Sequence, residues 1–335
     1  MNEPPTPASM PPDDPQLRPE QPPSPEILTT SPREAPRGKF SNHPAVLAVA
    51  WVIAYFIAVF ITTYCLMWLG TSLFPEPVGG VAALWREMFQ EFAMLLGAVV
   101  PAVLLARFEG RSFDEFGLPW RKAFGKSFGM GAAWGLGAIT ALMIALRVAQ
   151  VFWFGQFALH GVRIVKFAVF WGVYFVLVGL FEEFLLRGYP LQTLARGIGF
   201  WPAALVLSIG FGAIHVRNPG ETWIGLLGVV VIGMFFCFTV YRTGNLWFAV
   251  GFHAFWDWGQ TYLYSVPDSG TMAPGHLMRP VFHGQDWLTG GTVGPEASVF
   301  CFVVIAGVWG VFARRHREVK WEDRTLLRPS AANNV

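Results

Sequence analysis

Long apolar blocks, broken by short polar stretches, occupy most of this chain. A helix needs about 20 such residues to cross the hydrocarbon of a bilayer. Eight blocks approach that length, at roughly 45–69, 88–106, 128–149, 165–186, 200–216, 222–241, 245–264 and 297–313. They predict an all-α fold, a polytopic membrane helix bundle of about eight transmembrane helices. The fifth block is short and carries Ile209-Gly210-Phe211-Gly212, so its ends are the least defined. No internal repeat is visible.

The rest of the chain divides around these blocks. Residues 1–44 are rich in Pro, Ser and Glu and have almost nothing apolar to bury, which predicts a disordered Pro-rich cytoplasmic tail rather than a cleavable signal peptide. Residues 45–164 hold the N-terminal transmembrane helices, 165–313 the chemically interesting core, and 314–335 a basic cytoplasmic tail. Lys and Arg cluster before the first block, between the second and third, after the fourth and sixth, and after the eighth. By the positive-inside rule this places both termini in the cytoplasm. The connection 265–296, studded with Gly and Pro, then faces outward and is expected to be shaped by turns rather than by a core. The segment 107–126 reads as a short amphipathic connector lying on the cytoplasmic surface.

Composition narrows the class. Charged residues make up 14% of the 335 and hydrophobic ones 53%, well below and above what a soluble domain carries. The 15 Trp and 31 Phe suit membrane interfaces and lipid-facing surfaces. A net charge of +2 gives no basic excess for a nucleic-acid partner, so the expected partners are membrane lipid and a peptide or protein substrate. Cys65, Cys237 and Cys301 are far apart, without CxxC spacing, and read as small buried hydrophobes.

Against this apolar background a few polar side chains stand out. Glu182 and Glu183 interrupt the fourth block, followed by Arg187. Each ionisable residue at bilayer depth costs about 2.5–3.5 kcal/mol on insertion scales, so such residues mark function by default. Glu183 and Arg187 are four apart, share a helix face and can neutralise each other. Glu182 points about 100° away and lacks that partner, which leaves it as the acid suited to meet water as a general base. His215 closes the fifth block, with Phe211 one turn earlier on the same face and Arg217-Asn218-Pro219-Gly220 ending the helix. His253 and Asp257, again four apart, face one way within the seventh block and suit hydrogen-bond donation to a developing oxyanion. Asp257 donates only when protonated.

In the order EExxxR, FxxxH, HxxxD, on separate apolar blocks, these motifs resemble the CPBP family: the type II CAAX prenyl endopeptidases and the bacteriocin-processing and immunity proteins related to them. The resemblance covers roughly residues 165–310, and Tyr241-Arg242-Thr243-Gly244-Asn245-Leu246-Trp247 shares it. It implies an all-helical intramembrane protease; the Pro-rich tail and the compact set of spans point to a bacterial plasma membrane. The first glutamate, here Glu182, activates water with help from His215. His253 and Asp257 form the oxyanion hole, and Glu183 and Arg187 are the supporting pair. The family often has asparagine where this chain has Asp257, so that residue either stays neutral through burial or orients His253.

The block boundaries place Glu182 near the inner end of the fourth helix and His215 near the outer end of the fifth. For the two to meet, either the fourth helix runs on past Arg187 or the fifth continues through Pro219. No cofactor is expected. In the alternative zinc-dependent protease, Glu182, His215 and His253 would be the ligands, although no HExxH is present. A non-catalytic immunity or peptide-binding protein would keep the cavity without turnover. A proton-coupled transporter is the weakest alternative, since no inverted repeat supports it.

Overall fold

A computed structural model describes residues 43–73 and 81–321. The Pro-rich tail expected over 1–44 lies, but for its last two residues, outside the described residues, as does the basic tail from 322 onward. The described chain forms ten α-helices and one two-stranded ribbon. Helices α1 (Pro44–Leu73), α2 (Val81–Glu109) and α3 (Lys126–Val148) precede strand β1 (Phe152–Phe157). Then come α4 (Val162–Arg187), α5 (Tyr189–Ile198), α6 (Phe200–His215), α7 (Trp223–Thr243) and α8 (Trp247–Trp258). Strand β2 (Met278–Phe282), the single turn α9 (Asp286–Thr289) and α10 (Val299–Arg315) complete the order.

The polytopic membrane helix bundle is as the apolar blocks predict. Five segments are long and apolar enough to cross a membrane: Pro44–Ser72, Ala83–Glu109, Lys126–Val148, Val162–Ile198 and Trp223–Thr243. The other three blocks form shorter helices, α6, α8 and α10. Ile57, Phe60 and Tyr64 on α1 point out of the bundle with more than half their surface free, as side chains that face lipid do. Cys65 is exposed on the same helix, unlike the buried Cys237 and Cys301.

Close approach fixes the centre of the bundle. α3 and α8 lie so near each other that a Cβ on Gly131 or Gly135 would fall on the carbonyls of Phe248 and Phe252. Small residues at such contacts let backbones pack in lipid, where no hydrophobic force drives helices together. Around that contact Phe235, Phe248, Phe252 and Phe312 form a fully buried aromatic core.

Two connections are held more firmly than expected. The segment between α2 and α3 keeps the exposed polar face of an amphipathic surface connector and docks its apolar side. Phe116 is completely buried, Arg111 sits over its ring at 4.5 Å and donates to Thr193 of α5 at 2.8 Å, and Gly117 accepts from the Leu246 amide at 2.7 Å. The connection 265–296 has a core. Val266 and Val293 are buried, β2 pairs antiparallel with β1, and Phe152 opposite Phe282 packs on α3. Turn residues dominate its sequence and hide the few apolar anchors that hold it.

Candidate active site

Helix α4 carries the acids and helix ends decide what they meet. The apolar helical stretch runs from Val162 to Ile198, past Arg187 and through α5. α4 itself ends at Arg187 and α6 at His215, so neither helix runs on; the break at Gly188 and the separate helix α5 carry the chain onward before α6 turns back. α6 begins beyond Arg187 and climbs back along α4. Phe211 comes level with Arg187, whose guanidinium lies 4.4 Å from the ring centroid. His215, one turn further, comes level with Glu182. α6 ends there, at His215.

Glu183 and Arg187 are both fully buried and pair at 3.4 Å. Room for the guanidinium is made by Gly233 on α7, where a Cβ would stand 2.7 Å from Arg187 Nη2 and 3.2 Å from Ser208. Glu183 Oε1 also accepts from His253 Nδ1 at 2.9 Å. That bond spends Nδ1 and turns Nε2 towards Glu182, at 3.6 Å, and Asp257, at 3.4 Å. The ring of Phe236 stacks on His253 at 5.6 Å and fixes its plane. His215 donates Nδ1–H to the Phe211 carbonyl at 2.8 Å, so its neutral form carries the free lone pair on Nε2. Phe211 packs edge-on against His215 at 4.7 Å.

Glu182, His215, His253 and Asp257 all line one cavity of about 340 Å³. The sequence-predicted set is thus brought together, with Glu182 the more solvated of the two glutamates at 22% side-chain exposure against 0%. A smaller cavity of about 90 Å³ shares His215, His253 and Asp257 and adds Phe211. Among the described residues, no group of three or more His, Cys, Asp or Glu is placed to hold a metal ion. The zinc set named from sequence is in contact through one pair, Glu182 with His253, and His253 Nδ1 already faces a carboxylate.

Further residues join the cavity wall that sequence reading did not single out. Glu87 and Glu91, one turn apart on α2, line it with Tyr174, whose hydroxyl donates to Glu91 at 3.3 Å. Their i,i+4 spacing beside an apolar block was a signal, but it straddled the predicted start of the second span. Asp268 reaches the wall from the long connection, accepting from Thr261 at 2.9 Å, and burial pushes its carboxyl up to about 6. Nothing local in the sequence marks it. Glu296, held by Gln260 and the Ser269 amide, is also raised well above the usual carboxylate range by burial. The residues 259–263 that connect α8 to this loop form a π-helical turn, a geometry common at functional sites.

A buried carboxylate–arginine pair, an imidazole held by it, and a second carboxylate at a polar cavity mark a class: helical membrane proteins with an ionisable centre inside the bundle. Comparison with known families agrees. The model of the family described as Rce1-like, type II CAAX prenyl endopeptidase, matches residues 164–259. That stretch contains Glu182, His215, His253 and Asp257, and across it the resemblance read from the three motifs is supported. No curated protein and no solved structure matches the chain.

Proposed function

We propose that this protein is an intramembrane endopeptidase that hydrolyses an amide bond of a membrane-associated or lipidated peptide with water as nucleophile. The observation that carries the reading is the convergence of Glu182, His215, His253 and Asp257 on one cavity, with His253 Nε2 at 3.6 Å from Glu182 and 3.4 Å from Asp257. Glu182 takes a proton from water, with the free Nε2 of His215 as a second acceptor. The water oxygen bonds to the scissile carbonyl carbon and the carbonyl oxygen gains charge. A proton on His253 Nε2 is the donor facing that oxyanion. On collapse the C–N bond breaks and the proton held by Glu182 passes to the departing amine.

The supporting groups have separate tasks in this scheme. Glu183 holds His253 through Nδ1, and Arg187 balances Glu183. Asp257 lies against Nε2 of His253, which favours an orienting role over direct donation to substrate. No metal takes part. Both termini lie in the cytoplasm, because the end of the bundle where α4 meets α5 and α7 meets α8 carries twice the Lys and Arg of the other end among the described residues.

The test uses protein purified into proteoliposomes and quenched fluorescent peptides, farnesylated and unmodified. Cleavage by the native chain that falls by about 10²–10⁴-fold in Glu182→Gln and survives a chelator supports the scheme. Full activity in Glu182→Gln rejects it. Loss on chelation with recovery on added zinc replaces it by the zinc-dependent reading.

A further inference from the structure

The cavity with Glu182 sits at one end of the bundle, and its walls say which. They come from the first turns of α2 (Glu87, Glu91), the first half of α4 (Trp171, Tyr174) and residues 271–274 of the long connection. Thr271 and Met272 on its rim are exposed. No described residue of 110–125, 188–199, 243–246 or 314–321 lines it. Towards that opposite end the bundle is closed: Glu183, Phe184 and Arg187 are fully buried, and Phe211 and Phe236 cover the guanidinium.

The closed end is the basic end. Residues 107–126 alone contribute Arg107, Arg111, Arg121, Lys122 and Lys126, and Arg314, Arg315, Arg317 and Lys320 add to them. Basic loops stay on the cytoplasmic side of a bilayer. Mouth and basic end therefore face opposite sides of the membrane.

We infer that the segment to be cut reaches the site from the non-cytoplasmic face, through the mouth rimmed by Thr271 and Met272. This rests on the proposed function and orientation above, and it names the substrate class: a membrane-anchored peptide or protein whose scissile segment is displayed outside the cytoplasm. A cytoplasmic protein with a lipidated C-terminus would meet the closed end instead.

The experiment reads accessibility and needs no substrate. In a chain with the exposed Cys65 replaced by Ala, single cysteines are placed at the rim (Met272→Cys, and separately Thr271→Cys) and at the basic end (Lys122→Cys). Intact bacterial cells expressing each variant are treated with a charged, membrane-impermeant maleimide, before and after permeabilisation. Rim variants labelled in intact cells, with Lys122→Cys labelled only after permeabilisation, support the inference. The reverse pattern, or equal labelling of both ends in intact cells, overturns it. Because labelling does not depend on turnover, a protein that passes the Glu182→Gln test can still fail this one, and the converse.

Discussion

The end of the bundle where α7 turns into α8 is held shut by aromatic clamps. Gly244 makes the turn in the left-handed region (φ 71°), the chain after α10 folds back so that the Lys320 and Trp321 amides bond to the Tyr241 carbonyl, and Trp321 packs on Phe200 at 5.0 Å. Its indole donates to Gln192 of α5 at 3.0 Å. At the other end a connection of more than thirty residues, 265–298, is tied to α8 by polar bonds through Gln260 and Thr261, and roofs a cavity walled by carboxylates. No described Lys or Arg lines that cavity, whereas the pocket at the basic end is lined by Arg242, Arg314, Arg315, Arg317 and Lys320 among others. The difference teaches how a bilayer protein divides labour. Charge that only orients the chain is kept mostly at the surface, with Arg111 the docked exception. Charge that does chemistry is taken inside, and each buried group must then be held by a specific partner.

Substitutions of matched kind at the two ends break this comparison most sharply in turnover. Glu182→Gln should lose about 10²–10⁴-fold in cleavage rate, while Arg314→Gln should change it by less than about twofold, measured in the same proteoliposomes. A large effect of Arg314→Gln would mean that the basic end participates.

Next in size is the cost of unpairing a buried charge. Arg187→Met leaves Glu183 in the interior without its cation and should destabilise the protein by about 3–5 kcal/mol. Thermal unfolding in detergent measures it. The double variant Glu183→Gln/Arg187→Met should regain most of that stability but not activity, because His253 loses the carboxyl group that holds its Nδ1. Equal stability of the single variant and the native chain would contradict a structural role for the pair.

The cavity's charge is read by a reagent pair. With Val178→Cys on the cavity wall, a cationic trimethylammonium-ethyl methanethiosulfonate should react about tenfold faster than the anionic sulfonato-ethyl reagent, relative to their ratio at Lys122→Cys. Glu87→Gln/Glu91→Gln should reduce the preference several-fold. Asp268, near 6, is ionised at about pH 8 and neutral at about pH 5. It faces Glu182, Asp257, Glu296, His215 and His253. Acidification through about pH 6 removes its negative charge, so the preference should fall. A preference independent of pH would exclude Asp268 as its source.

The smallest expected effect lies at the clamp. Trp321→Ala removes ring contacts and one hydrogen bond at a half-buried position and should cost about 1 kcal/mol, with turnover unchanged. Unfolding midpoint and cleavage rate, measured together, check it.

The sequence by itself determined the class of fold and the chemical cast. Length and apolarity of a block report a membrane helix because lipid offers no partner for unpaired backbone, so the signal is local. An acid in such a block is equally local, and Glu182, Glu183, His215, His253 and Asp257 could all be named on that ground. Spacing of four also gave the Glu183–Arg187 pair. Only the tertiary structure decided who meets whom. The break at Gly188 and the helix α5 that follows set the depth of His215, and the choice of Glu183 rather than Asp257 as partner of His253 Nδ1 depends on how α4 and α8 cross. Asp268 and Gly233 were invisible for the same reason: Asp268 faces Glu182, more than 50 residues away along the chain, and Gly233 acts through the space it leaves for Arg187. Contacts of that kind are properties of packing, and no periodicity along the chain encodes them.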